Sequence, residues 1–155
     1  MTMTMLNQTI PDFELSATSG ITFKLSNHRG KTLVIYFYPK DNTPGCTTQG
    51  IQFRDSYQDF KTLNAEIFGI SRDSLKSHEN FKAKFGFPFE LLADTEELAC
   101  GIFGVIKMKN MYGKQVCGIE RSTFIIDKSG QLLHEWRGVK VDGHAQEVLN
   151  LIKTL

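Results

Sequence analysis

The run Thr32–Tyr38, TLVIYFY, carries no charge and shows no alternation of polar and apolar residues. A strand with one wet face alternates with a period of two, so an unbroken run of this kind reads as a strand covered on both faces. Such a strand requires a sheet with helices on each side. The residues after it fit that requirement. Pro39 lacks the N–H that would extend the ladder and ends the strand. Thr43 suits an N-cap and Pro44 a first helical position. Phe53, Tyr57 and Phe60 then fall at i, i+4 and i+7, which predicts a helix from Pro44 to Leu63 with one apolar face.

The same punctuation recurs downstream. AEIFGIS (Ala65 to Ser71) reads as a second apolar strand, SLKSHENFKAKFG (Ser74 to Gly86) as a polar helix closed by glycine, and FELLAD (Phe89 to Asp94) as a short strand. TEELACGIF (Thr95 to Phe103) reads as helix, and RSTFIID and QLLHEWRG as two strands joined through Gly130. In GHAQEVLNLIKTL, Ala145, Val148, Leu149 and Ile152 share one face, which predicts a final helix. FELSATSG and ITFKLSNHRG suggest a separate N-terminal β-hairpin, and the polar run KNMYGKQVCGIER suggests a loop. The expected class is α/β, with a mixed central sheet flanked by helices. With no repeat, linker or low-complexity tract, residues 1–155 are expected to form a single domain.

A chain of this length buries about two thirds of its unfolded surface, enough for a core without disulfide or metal. Lys plus Arg total 18 against 17 Asp plus Glu, a net charge of +1, which excludes an electrostatic case for nucleic acid or an anionic membrane. No apolar run nears the roughly 20 residues of a membrane span. The start, MTMTMLNQTI, lacks the basic flank and apolar core of a signal peptide. Cys46, Cys100 and Cys117 are odd in number and contain no CxxC pair, which fits neither a secreted disulfide framework nor a paired zinc site. A reducing, cytoplasmic setting is expected. His28, His78, His134 and His144 are scattered and make no ligand pattern, so no metal is expected.

Cys46 is the residue that calls for chemistry. Sites in α/β sheets collect beyond the carboxyl ends of strands, where helix N-termini present free N–H groups. Counting from Pro44, Cys46 is the third residue of its helix. The positive helix end and unpaired donors there favour a thiolate, the nucleophilic form of cysteine. A small buried apolar residue is the plain alternative for Cys46. Cys100, beside Leu98 and Ile102 on a helix, takes that plain reading; Cys117 stays open.

Pro39, Thr43 and Cys46 together spell PxxxTxxC. This string, within YFYPKDNTPGCTTQ and with FGIS and ERSTFIID further along the chain, resembles the peroxiredoxins of the bacterioferritin comigratory protein or Q-type subgroup. The resemblance runs from PDFEL at Pro11 to the final helix. It implies a thioredoxin-like fold with no cofactor, and reduction of hydrogen peroxide or organic hydroperoxides by Cys46, which becomes a sulfenic acid. Thr43 and the N–H groups of Gly45 and Cys46 would bind the peroxide, Pro39 would shield the sulfur, Arg121 would stabilise thiolate and transition state, and Gln49 would orient Arg121. It further implies a reductant such as thioredoxin, glutaredoxin or glutathione, and a monomer or weak dimer.

The sequence departs from the subgroup at the resolving thiol. Ile51 stands five positions after Cys46, where many members keep a second cysteine, and SLKSHENFKAKF has none for those that place it on the next helix. A one-cysteine cycle is therefore expected, with Cys117 or Cys100 as weak resolving candidates for a two-cysteine alternative. A disulfide oxidoreductase would want a CxxC at the helix start, which TPGCTTQ lacks. A non-catalytic binding or holdase module would give no reason for Pro39, Thr43 and Arg121 to occur together.

Overall fold

The apolar run becomes the strand that the rest of the molecule covers. In a computed structural model, the chain is described over residues 3–155, so the first two residues of the expected domain lie outside the described residues. The elements are β1 (Glu14–Ala17), β2 (Thr22–Lys24), β3 (Thr32–Phe37), α1 (Pro44–Thr62), β4 (Ala65–Ser71), α2 (Leu75–Phe85) and β5 (Glu90–Ala93). Then come α3 (Leu98–Phe103), β6 (Ile106–Met111), β7 (Lys114–Ile119), β8 (Ser122–Ile126), β9 (Leu132–Arg137) and α4 (His144–Ile152). Seven strands form one mixed sheet in the order β2-β1-β5-β4-β3-β8-β9. β3 lies between β4, parallel, and β8, antiparallel, and all its residues are buried.

Two faces require two cores, and β3 divides its side chains between them. Leu33, Ile35 and Phe37 join Phe13, Ile102 and Phe103 on one side. Val34 and Tyr36, with Tyr38 just past the strand end, join Phe53, Phe60 and Val148 on the other. The helical face expected on α4 is the buried one, with Ala145, Val148, Leu149 and Ile152 all inside. α2 is capped at both ends as its sequence suggests, Ser74 accepting from the Ser77 N–H and Gly86 turning left-handed at φ 63°. Among the described residues no helix is long and apolar enough to cross a membrane.

Three expectations need correction. The N-terminal hairpin is not separate, because β1 also pairs with β5 through Ser16↔Ala93, which makes the hairpin the edge of the main sheet. The expected loop around Cys117 is a second, two-stranded sheet, β6–β7, turned by Tyr112 and Gly113 at φ 53° and 78°. Positive φ at both central residues is what a tight hairpin turn demands; most of the hairpin is exposed, with only Ile106 and Ile119 at its base packed on the core, so its apolar alternation is confined to Ile106 and Met108. α3 begins at Leu98 rather than Thr95, since the buried Asp94 carboxylate accepts from the N–H groups of Ala99 and Cys100 (3.2 and 2.8 Å) and fixes the start.

Gly50 offers a test of how tightly α1 seats on this core. A Cβ there would run into the Phe87 ring, which is itself packed among Phe81, Phe85 and Phe89 and cannot retreat. Alanine gains about 1 kcal/mol of helix propensity over glycine, whereas overpacking costs about 1–3 kcal/mol. Gly50→Ala should therefore lower the melting temperature. A melting temperature at or above that of the parent would show that the α1–Phe87 contact is loose.

Candidate active site

β3 ends under the N-terminus of α1, and the connection decides where Cys46 sits. Tyr38 still donates its N–H to Ile70 on β4 (3.1 Å), after which Pro39 breaks the ladder. Asn42 adopts a left-handed turn at φ 60°, Thr43 is extended, and Pro44 opens the helix. The first intrahelical donor is Thr47, bonding to Thr43 O at 2.9 Å. The N–H groups of Gly45 and Cys46 precede it and so have no partner within the helix. Cys46 itself is buried, 2 % exposed, one helical turn before the equally buried Gln49.

The opposite wall comes from the residue before β8. The β3–β8 register sets Phe37 against Ser122, which brings Arg121 alongside the strand end. Its carbonyl accepts from the Val139 N–H at 2.9 Å. Its guanidinium splits two ways: Nη2 donates to Cys46 Sγ at 3.4 Å and Nη1 to Gln49 Oε1 at 2.6 Å. A Cβ on Gly45 would fall 3.2 Å from Nη2, so glycine leaves room for arginine to lie across the helix end. The expected grouping of Cys46, Gln49, Gly45 and Arg121 is thus present as one constellation, with Pro39 half-buried in the loop beside it.

Thr43 differs from expectation. It occupies the N-cap position, but its side chain makes no capping bond. Instead Oγ1 donates to the Lys40 carbonyl at 2.8 Å. With its proton committed there, the hydroxyl oxygen is left as an acceptor. Arg121 thus sets a donor against the buried sulfur, and the start of the helix that carries the sulfur adds the N–H groups of Gly45 and Cys46 and, three residues before Cys46, the acceptor oxygen of Thr43. A hydroperoxide, which carries one O–H donor and two acceptor oxygens, matches that polarity.

The other thiols lie apart. All three cysteines are free. Cys100 is fully buried on α3, its N–H bonded to Asp94, and burial followed by the Asp94 charge pushes its thiol well up. Cys117 is exposed on β7 with Sγ 3.1 Å from Met108 Sδ. Ile51 packs half-buried against the α1 core.

Sequence reading missed one cluster. The histidines do not gather with one another, but His78 meets Asp41 and Asp73 with ligating atoms within 4.8 Å. Each of these side chains is already bonded inside the protein, His78 to Asp41 and Leu92 O, Asp73 to the Asp41 N–H. The only signal in the sequence was an acidic residue between Pro39 and Thr43. A lone histidine 37 residues later carried none.

Comparison with known proteins agrees with this geometry. Residues 6–135 match the model of the AhpC/TSA family. The chain is 55% identical to peroxiredoxin Bcp of Xanthomonas campestris pv. campestris, over 92% of this chain and 89% of that one. A solved structure of the X. campestris bacterioferritin comigratory protein, presented for its alkyl peroxide reduction activity, superimposes with TM-score 0.88 at 54% identity, covering 92% and 90% of the two chains. A Xylella fastidiosa PrxQ structure gives TM-score 0.94 at 43% identity over 99% and 98%.

The burial of Cys100 predicts a reactivity order. Iodoacetamide added to the native protein should label Cys117 and Cys46 while leaving Cys100 unlabelled until denaturant is present, as read by peptide mapping. Labelling of Cys100 as fast as Cys117 in the native state would contradict its place in the core.

Proposed function

Since the chain belongs to the AhpC/TSA family, as a bacterioferritin comigratory protein or Q-type peroxiredoxin and hence a thiol peroxidase with a thioredoxin-like fold, we propose that Cys46 is its peroxidatic sulfur and Arg121 the group that activates it. The observation that carries this reading is the Arg121 guanidinium, shared between Cys46 Sγ at 3.4 Å and Gln49 Oε1 at 2.6 Å.

In the reaction, the Cys46 thiolate attacks the terminal oxygen of R–O–O–H. An S–O bond forms as the O–O bond breaks, giving Cys46–SOH and R–O⁻, which takes a proton to leave as water or an alcohol. Negative charge passes from sulfur to the departing oxygen, and Arg121 with the Gly45 and Cys46 N–H groups stabilises it along that path. Thr43, its own proton held by Lys40, accepts from the peroxide O–H and so orients the substrate. Pro39 covers the sulfur, and Gln49 holds Arg121 in place.

The cycle closes with an external thiol. R′–SH displaces water from Cys46–SOH to form a mixed disulfide, and a second R′–SH releases Cys46–SH and R′–S–S–R′. Thioredoxin, glutaredoxin or glutathione would serve. Ile51 at the usual resolving position, the buried Cys100 and the strand position of Cys117 support this one-cysteine route over one through Cys117 or Cys100. Three free cysteines, one of them exposed, suit a reducing cytoplasm. The two cores meeting across one sheet support a single domain over residues 1–155.

Substitution separates these roles. Cys46→Ser should abolish hydroperoxide consumption, whereas Cys117→Ser and Cys100→Ser should turn over with an external thiol as the parent does. Arg121→Lys keeps the charge but loses the planar fork that spans two acceptors, so kcat/KM for the hydroperoxide should fall by roughly 100-fold, the lower end of what one lost positioned donor costs. Native turnover by Cys46→Ser would end the assignment; native turnover by Arg121→Lys would strip Arg121 of the activating role.

A further inference from the structure

The short segment that joins β3 to α1 carries more buried polar contacts than the sulfur alone requires. Asp41 is 7 % exposed, and burying a carboxylate is costly unless donors replace its water. Three do so. Tyr38 Oη donates to Oδ1 at 2.6 Å, and Oδ2 takes Ser77 Oγ at 2.8 Å and faces His78 Nδ1 at 2.7 Å. Burial and the Asp41 charge push the Tyr38 hydroxyl well up, so it remains a donor. His78, fully buried on α2, sets its other nitrogen against Leu92 O on β5 at 2.9 Å.

The backbone of the same residue is held as well. The Asp41 N–H donates to Asp73 Oδ2 at 2.9 Å, and Asp73 is in turn held by Ser71 Oγ. That N–H shares one planar peptide group with the Lys40 carbonyl, the acceptor for Thr43 Oγ1. Fixing one end of a rigid plane fixes the direction of the other. The bond to Asp73 therefore sets where the Lys40 carbonyl points. That direction sets where the Thr43 proton points, and with it which way the Thr43 oxygen faces.

We propose that Asp73, Asp41 and His78 are positioning residues for the peroxide site, which orient the Thr43 hydroxyl through the Lys40–Asp41 peptide without touching sulfur or substrate. They tie the loop to β5, α2 and the end of β4, and they keep the left-handed turn at Asn42 from relaxing. The inference rests on Thr43 acting as the substrate acceptor, and the test separates the two.

Asp73→Ala frees the Asp41 N–H at a half-buried position. His78→Gln removes the donor that faces Asp41, whereas His78→Asn keeps an N–H₂ near the Nδ1 position. Asp73→Ala and His78→Gln should each lower kcat/KM for cumene hydroperoxide by about tenfold or more, the scale set by the roughly 100-fold cost of a misplacement of about one ångström. The rate of iodoacetamide alkylation at Cys46 should hold, and His78→Asn should recover much of the loss. In a Thr43→Val background neither Asp73→Ala nor His78→Gln should cost anything further, because the hydroxyl they orient is gone. A merely structural cluster would instead slow alkylation in parallel, or add its loss in full to that of Thr43→Val, and either result overturns the proposal. Full activity of both single variants overturns it too while leaving Thr43 in place. Full activity of Thr43→Val removes the substrate role and the proposal together. If the His78 variants do not fold, Asp73→Ala alone carries the comparison.

Discussion

The contact between Arg121 and the first turn of α1 is the interaction on which the site depends. A unit pair near 4 Å is worth about 4 kcal/mol at an effective dielectric of 20, whereas a helix terminus contributes about 0.3–2 kcal/mol to a nearby charge. For a charged sulfur 3.4 Å from Nη2, the arginine outweighs the helix end. The helix supplies directed N–H groups; the arginine supplies the charge. That division explains why Gly45 has no side chain: Nη2 lies where one would begin to crowd it.

Bringing an arginine that close requires the sheet. β3 must be central for both neighbours to reach it, and only with β8 antiparallel at its side does the residue before β8 arrive at the same end as the start of α1. Gly69 serves the same arrangement from the β4 side. A Cβ there would meet the Tyr36 ring at 2.8 Å, so the absence of one lets Tyr36 lie flat beneath α1, stacked on Phe53 at 4.7 Å. The core that seats the helix and the strand order that supplies the arginine are thus parts of one requirement.

Much of this was legible because it is local. TLVIYFY with Pro39, Thr43 and Pro44 after it encodes strand, stop and helix start within one short window, and Gln49 lies one turn from Cys46 by spacing alone. The Thr43 hydroxyl was not legible, since capping and donating to Lys40 differ by a side-chain torsion that spacing does not record. The Asp41–His78–Asp73 cluster was hidden for another reason. It joins a loop, a helix and a strand end that only the tertiary fold brings together. The β6–β7 hairpin was hidden because most of it is exposed and only its base packs on the core, so its sequence marks are the short alternation Ile106-Lys107-Met108 and the turn at Tyr112 and Gly113.

The most direct measurement is to trap the oxidised sulfur. The reduced protein is treated with one equivalent of hydroperoxide in the presence of dimedone, which captures sulfenic acids, and the adduct is located by peptide mapping under non-reducing conditions. If Cys46 reacts and no second cysteine resolves it, the adduct lies on the peptide bearing Cys46 alone and most of the protein carries it. Dimedone on Cys117 or Cys100 instead, or a disulfide from Cys46 to either of them in place of the adduct, would contradict the account.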